Sequence, residues 1–155
     1  MRPTAEEQLL GTCRVLENVV SPCVADPYAR TMLEGLIANL RMLTNALPAV
    51  PGFLDSDNRA TAGLLGQLQA VVVPGLAARI TLALQQPEPD ATEMRALEQR
   101  NGELRELFSQ ALCSTGLTPA MRGAALEHMS ARAARAPMRY VPTASPPASQ
   151  SAKAT

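Results

Sequence analysis

An all-α fold is predicted by three properties of this 155-residue chain: an up-and-down helical bundle of four to five helices with a kinked third helix and a disordered C-terminal tail. Hydrophobic residues make up 46% of it, enough to build a core. Aromatics make up only 3% and Trp is absent. The core must therefore come from Leu, Val, Ile, Met and Ala, which suits close-packed helices better than a β-sandwich. Leucines recur at spacings of three and four, and proline-bearing breaks divide the chain into five helical stretches joined by short loops.

The first helix opens at Pro3-Thr4-Ala5-Glu6-Glu7, where Thr4 and Glu7 have the spacing of a reciprocal capping box. Leu9, Cys13, Leu16 and Val20, with Leu10, make its apolar stripe, and Pro22 stops it. Asp26-Pro27 starts the second helix as cap and first residue. On that helix Leu33, Leu36, Ile37, Leu40, Leu43, Thr44 and Leu47 fall on one broad face. Pro48 to Gly52 reads as a break, and the third helical region runs from about Asn58. Pro74 interrupts it, so that region is kinked or split in two.

Asp90 and Glu93 offer a second capping box ahead of Met94, Leu97, Asn101, Leu104, Phe108 and Ala111. Thr118-Pro119 starts the last helix. Residues 1–140 form one bundle domain in this reading. Residues 141–155, rich in Pro, Ser and Ala and without periodicity, form the disordered tail.

A formal net charge of zero argues against general nucleic-acid binding. The charge is nevertheless uneven. Residues 1–117 carry nine basic against thirteen acidic side chains, and residues 118–155 five against one. Cys13, Cys23 and Cys113 show no paired spacing, so buried reduced thiols are expected rather than disulfides or zinc. No apolar run approaches the length of a membrane span, and the acidic start lacks the apolar stretch of a signal peptide. A bacterial, cytoplasmic protein is the expectation.

Enzyme signatures such as a P-loop, G-x-S-x-G and G-x-G-x-x-G are missing. One histidine cannot supply the two Glu-x-x-His motifs of a di-iron bundle, so no metal or cofactor is expected. The most chemical stretch is HMSARAARAPMRY. On a helix, His128, Arg132, Arg135 and Arg139 form one line that borders the apolar line of Leu126, Met129, Ala133 and Ala136 without joining the core. The arginines complement the negative end of the helix dipole, which by itself accounts for them. The sharper reading makes His128, Arg132, Arg135, Arg139 and Tyr140 a dock for an anionic partner, an acidic protein face or a phosphorylated ligand. On that reading, charge reversal at Arg132 and Arg135 weakens binding and leaves the melting temperature nearly unchanged.

RPTAEEQLL, an LE-rich helix, a VSP break and YAR opening the next helix resemble a family of small bacterial all-helical proteins of unknown function. Their genes often lie beside those for aminoglycoside-phosphotransferase-like proteins and acyl-CoA dehydrogenases. LEHMSARAARAPMRY is similar to that family's closing helix, which ends in an Asn-Pro-Arg/Lys-Tyr run. Pro137, Arg139 and Tyr140 stand at the matching positions, with Ala136 in place of Asn and Met138 between Pro and Arg. The resemblance implies a non-enzymatic accessory or adaptor protein. Its partner would be a phosphotransferase-like or acyl-CoA-metabolising enzyme, and no catalytic residue carries over. The alternative from the residues is a bundle carrying a small apolar ligand such as an acyl group. A third reading, adsorption to granules through amphipathic helices, ranks below both. Self-association of such an Ala- and Leu-rich bundle is also allowed.

Overall fold

Three helices of this chain begin on side-chain caps that the sequence spells out. The computed structural model describes residues 2–137. Thr4 Oγ1 accepts from the Glu7 amide at 3.2 Å while Glu7 Oε2 accepts from the Thr4 amide at 2.9 Å, completing the capping box of α1 (Ala5–Val15). Asp26 Oδ2 accepts from Ala29 at 2.7 Å ahead of α2 (Pro27–Ala46). Thr118 Oγ1 accepts from Met121 at 3.2 Å ahead of α6 (Pro119–Arg135). Each such cap contributes about 1 kcal/mol by satisfying a donor the helix itself leaves free. Between them lie α3 (Val50–Leu68), α4 (Pro74–Gln85) and α5 (Met94–Leu112), and all regular structure among the described residues is helical.

The helices assemble as an up-and-down bundle around a central pair, α3 and α5. Gln69 bonds Thr81 and Gly66 lies against Leu84, so α3 and α4 run antiparallel; Arg79 bonds Gln110 and Glu106 while Gln86 lies beside Gln99 and Glu103, so α4 and α5 do too. The main core fills the space between these helices with Leu65, Leu68, Ile80, Leu104, Phe108 and Ala111, closed at one end by Leu117 and Ala125. A smaller cluster of Val50, Leu54 and Leu97 lies under Phe53 and Met94. Such side chains contribute about 1.5–3 kcal/mol each when fully buried.

Several local expectations are corrected. The break expected at 48–52 is shorter than the proline run: a single 3-10 turn (Leu47–Ala49) that includes Pro48 separates α2 from α3, and Pro51 stands in the first turn of α3. Proline is harmless there because its missing N–H is one the helix start does not bond. The helix thus begins about two turns before Asn58. Of the kink and the split allowed at Pro74, the structure shows the split. A 3-10 turn (Gln69–Val71) ends α3, Val72 and Val73 are extended, and Pro74 is the first residue of α4. The turn before α6 comes close to this break, so a Cβ at Gly116 would lie 2.6 Å from the Val71 carbonyl oxygen.

Asp90 and Glu93 form no capping box. Asp90 Oδ1 instead accepts from the Thr92 amide and hydroxyl at 2.8 and 2.7 Å, bonds that hold its carboxyl below the ordinary range. Glu93 occupies the cap position without a side-chain bond. Of the three thiols only Cys13 is buried; Cys23 and Cys113 are exposed, and none forms a disulfide.

The first two helices stand apart from this packing. They form a hairpin tied by the Glu17–Arg41 ion pair at 2.7 Å, and neither core cluster contains a residue from it. Ile37 and Thr44 are buried in the hairpin, with Leu33 and Leu40 partly covered. Of the seven residues on the broad apolar face expected of α2, five are buried or partly covered and Leu36 and Leu47 are exposed, while Tyr28 and Met32 extend the exposed surface beyond that face. Leu36 is 52% exposed, Met32 57% and Tyr28 74%, and Leu47, Leu10 and Val20 also reach solvent. Residues 28, 32 and 36 stack on one line, about a third of a turn from the line through Ile37 and Thr44. One neighbouring helix covers one line.

Candidate functional site

The basic line of α6 is a polar seam against α3. His128 Nε2 lies 3.1 Å from Thr61 Oγ1, Arg132 Nε donates to Asp57 Oδ2 at 2.8 Å, and Arg135 Nη1 donates to Ser56 Oγ at 3.3 Å. The partner numbers fall along α3 as they rise along α6, the signature of an antiparallel pair. Arg139 and Tyr140 lie outside the described residues, as does the tail from residue 141.

Behind the seam, α5 supplies the next layer. Asn101 Nδ2 donates to Asp57 Oδ2 at 2.7 Å and to Asn58 Oδ1 at 2.9 Å, while Asn58 Nδ2 donates to the Leu97 carbonyl at 3.2 Å. Asp57 is 1% exposed, and its Oδ1 has no hydrogen-bond partner among the described residues. A carboxylate so placed is held by its ion pair and amide donor, since burial without them would be costly. Arg132 is 27% exposed on its side chain and lies 5.8 Å from the Phe53 ring centroid, within cation–π range.

The expected separation of this line from the core is therefore corrected: Arg132 reaches under the surface to the most buried acid of α3. Burial holds the His128 imidazole below the ordinary histidine value. The Asp57 carboxylate opposes that shift, and the Arg132 and Arg135 guanidiniums add to it. Phe108 meets the imidazole edge-on, with ring centroids 5.5 Å apart.

Asp57, Asn58, Thr61 and Asn101 are the members of this site that sequence reading passed over. Starting the third helix at Asn58 left Asp57 in a loop and hid its spacing of four to Thr61. Asn101 was counted as part of an apolar stripe, where a polar residue in a row of leucines was the available signal. A second buried polar group, Arg100, reaches only Glu88 at 3.8 Å, and its Nε and Nη1 are without partners.

On the outer side of the seam, α5 and α6 border a surface groove of about 190 Å³, with Arg105 and Ser109 on one wall and His128 and Arg132 on the other. No cluster of three or more His, Cys, Asp or Glu gathers among the described residues to hold a metal. No described helix is long and apolar enough to cross a membrane. No protein-family model, curated protein or solved structure matches the chain.

Proposed function

We propose that this chain is a non-enzymatic accessory protein that binds a partner protein, and that the exposed line of α2 carries the contact. The observation behind it is the placement of unburied apolar surface. Nine of the thirteen exposed large hydrophobics among the described residues fall between Leu10 and Leu47, so the bundle core is closed while the hairpin is not. Tyr28, Met32 and Leu36 present an i, i+4, i+8 row, the spacing with which one helix packs into the groove of another. An apolar row of this kind on an otherwise polar protein marks an interaction surface.

The occupant is an apolar face of another protein. Residues 5–46 hold five carboxylates against three arginines, a balance that repels an anionic bilayer. The larger grooves among the described residues, about 520 Å³ beside Glu93 and Gln99 and about 310 Å³ beside Glu17 and Arg41, lie open at the surface and do not enclose a chain-like ligand. That favours docking over acyl carriage. Phosphotransferase-like and acyl-CoA-metabolising enzymes are the first partners to try, on the resemblance noted above.

The test is binding by the full chain and by a Tyr28→Ser/Met32→Gln/Leu36→Gln variant to a candidate enzyme, followed by light scattering and hydrogen exchange. Support is complex formation that protects α2 amides and is lost in the variant, with the variant's melting temperature at or above the original. Equal binding by the variant overturns the surface. A dimer of the chain that the variant dissolves would instead assign the row to a second copy.

A further inference from the structure

We propose that the groove between α5 and α6 binds a phosphate monoester, with Arg105 and Arg132 as its two anion ligands. This site is separate from the α2 row and does not depend on it. Arg105 is exposed and makes no ion pair or hydrogen bond among the described residues. Arg132 lines the groove and is oriented by Asp57 through Nε, the only one of its nitrogens that donates to a described residue, so its two Nη groups have donors to spare.

Arg105 and Arg132 bring two positive charges to opposite walls of a groove whose lining holds no carboxylate, and Asp57 engages Arg132 through Nε. A ligand with charge near −2 and several oxygens balances those charges and accepts from both side chains, as a phosphate monoester does. A carboxylate brings a single negative charge and so balances only one of the two guanidiniums. Ser109, one helical turn after Arg105, adds a hydroxyl donor on the same wall. The apolar part of the groove, formed by Phe108, Leu112 and Met129, excludes water beside the charges and gives a place for the first carbons of the ester.

The volume of about 190 Å³ admits a phosphoryl group with a few further atoms, and not a nucleotide. The same chemistry is offered by a free phosphate ester or by a phosphorylated side chain of a partner protein. Arg135, expected to share in anion docking, does not line the groove; it turns to Ser56.

The test is titration of the full chain with inorganic phosphate, phenyl phosphate and a phosphoserine peptide, followed by amide chemical shifts and calorimetry at low and high salt. Support is saturable shifts confined to the amides around Arg105, Ser109 and Met129, weakened severalfold by 0.3 M salt. Arg105→Gln should weaken binding about tenfold or more while the melting temperature stays put, since Arg105 holds no other contact. Arg132→Lys should weaken it as well. Tighter binding of phenyl phosphate than of the peptide assigns the site to a free ester; the reverse order assigns it to a phosphorylated partner. Absence of groove shifts at millimolar phenyl phosphate, or equal affinity in Arg105→Gln, overturns the proposal.

Discussion

Replacing Arg132 by Met isolates the energetic role of the seam, because Met keeps an unbranched stem over Phe53 and removes only the guanidinium. What remains is a carboxylate 1% exposed to solvent, bonded through Oδ2 to a single Asn101 amide at 2.7 Å and through Oδ1 to nothing. Removing one member of a buried ion pair costs about 3–5 kcal/mol. Arg132 is itself 27% exposed, so water enters the vacated space and recovers part of that cost. The expected loss is about 2–3 kcal/mol, which lowers the melting temperature by about 6–12 °C in a domain of this size.

Urea unfolding followed by circular dichroism at 222 nm measures it, and the Asp57→Asn/Arg132→Met pair completes a double-mutant cycle. The double variant should recover at least half of the loss, since the stranded charge is gone. A single variant within about 0.5 kcal/mol of the parent, with no coupling in the cycle, would refute the inward assignment of Arg132.

Two further outcomes follow from neighbouring features. His128 has a lowered folded-state pKa, so its contribution to stability is complete above the unfolded value of about 6.5 and is lost as pH falls through that value toward the folded one. Melting temperatures between pH 8 and 5 should therefore drop more steeply below pH 6.5 in the parent than in His128→Gln; parallel curves would exclude it. At Gly116 a methyl group meets a backbone oxygen at 2.6 Å, which cannot rotate away. Gly116→Ala should cost about 1–3 kcal/mol in denaturant titration, and an unchanged midpoint would show that the turn moves freely.

The helical class and the starts of α1, α2 and α6 were legible because capping is local chemistry: Thr4, Asp26 and Thr118 bond amides three residues on. The start of α3 was not, since proline signals a break and a helix opening with the same residue; only the packing of Val50 and Leu54 decides between them. The basic line on α6 was visible as a line, but its direction was not. Helical spacing shows that His128, Arg132 and Arg135 align, and nothing local shows that Ser56, Asp57 and Thr61 wait seventy residues earlier to receive them. The sequence expectation that charge reversal there leaves stability nearly unchanged and the loss worked out above from the Arg132–Asp57 contact are opposite outcomes of the same measurement. Most of the apolar face on α2 was likewise legible, while its extension through Met32 and Tyr28 and the number of helices covering it were not.

The last helix fully buries one residue, Ala125, with Met121 partly packed on the core, so charge and hydrogen bonding carry a large part of its hold on the bundle. Fasteners of that kind weaken with acidity and salt, whereas leucine contacts do not. Amide deuteration should accordingly sweep through residues 119–135 well before it reaches Leu65 or Leu104, making this segment the first to peel from the body.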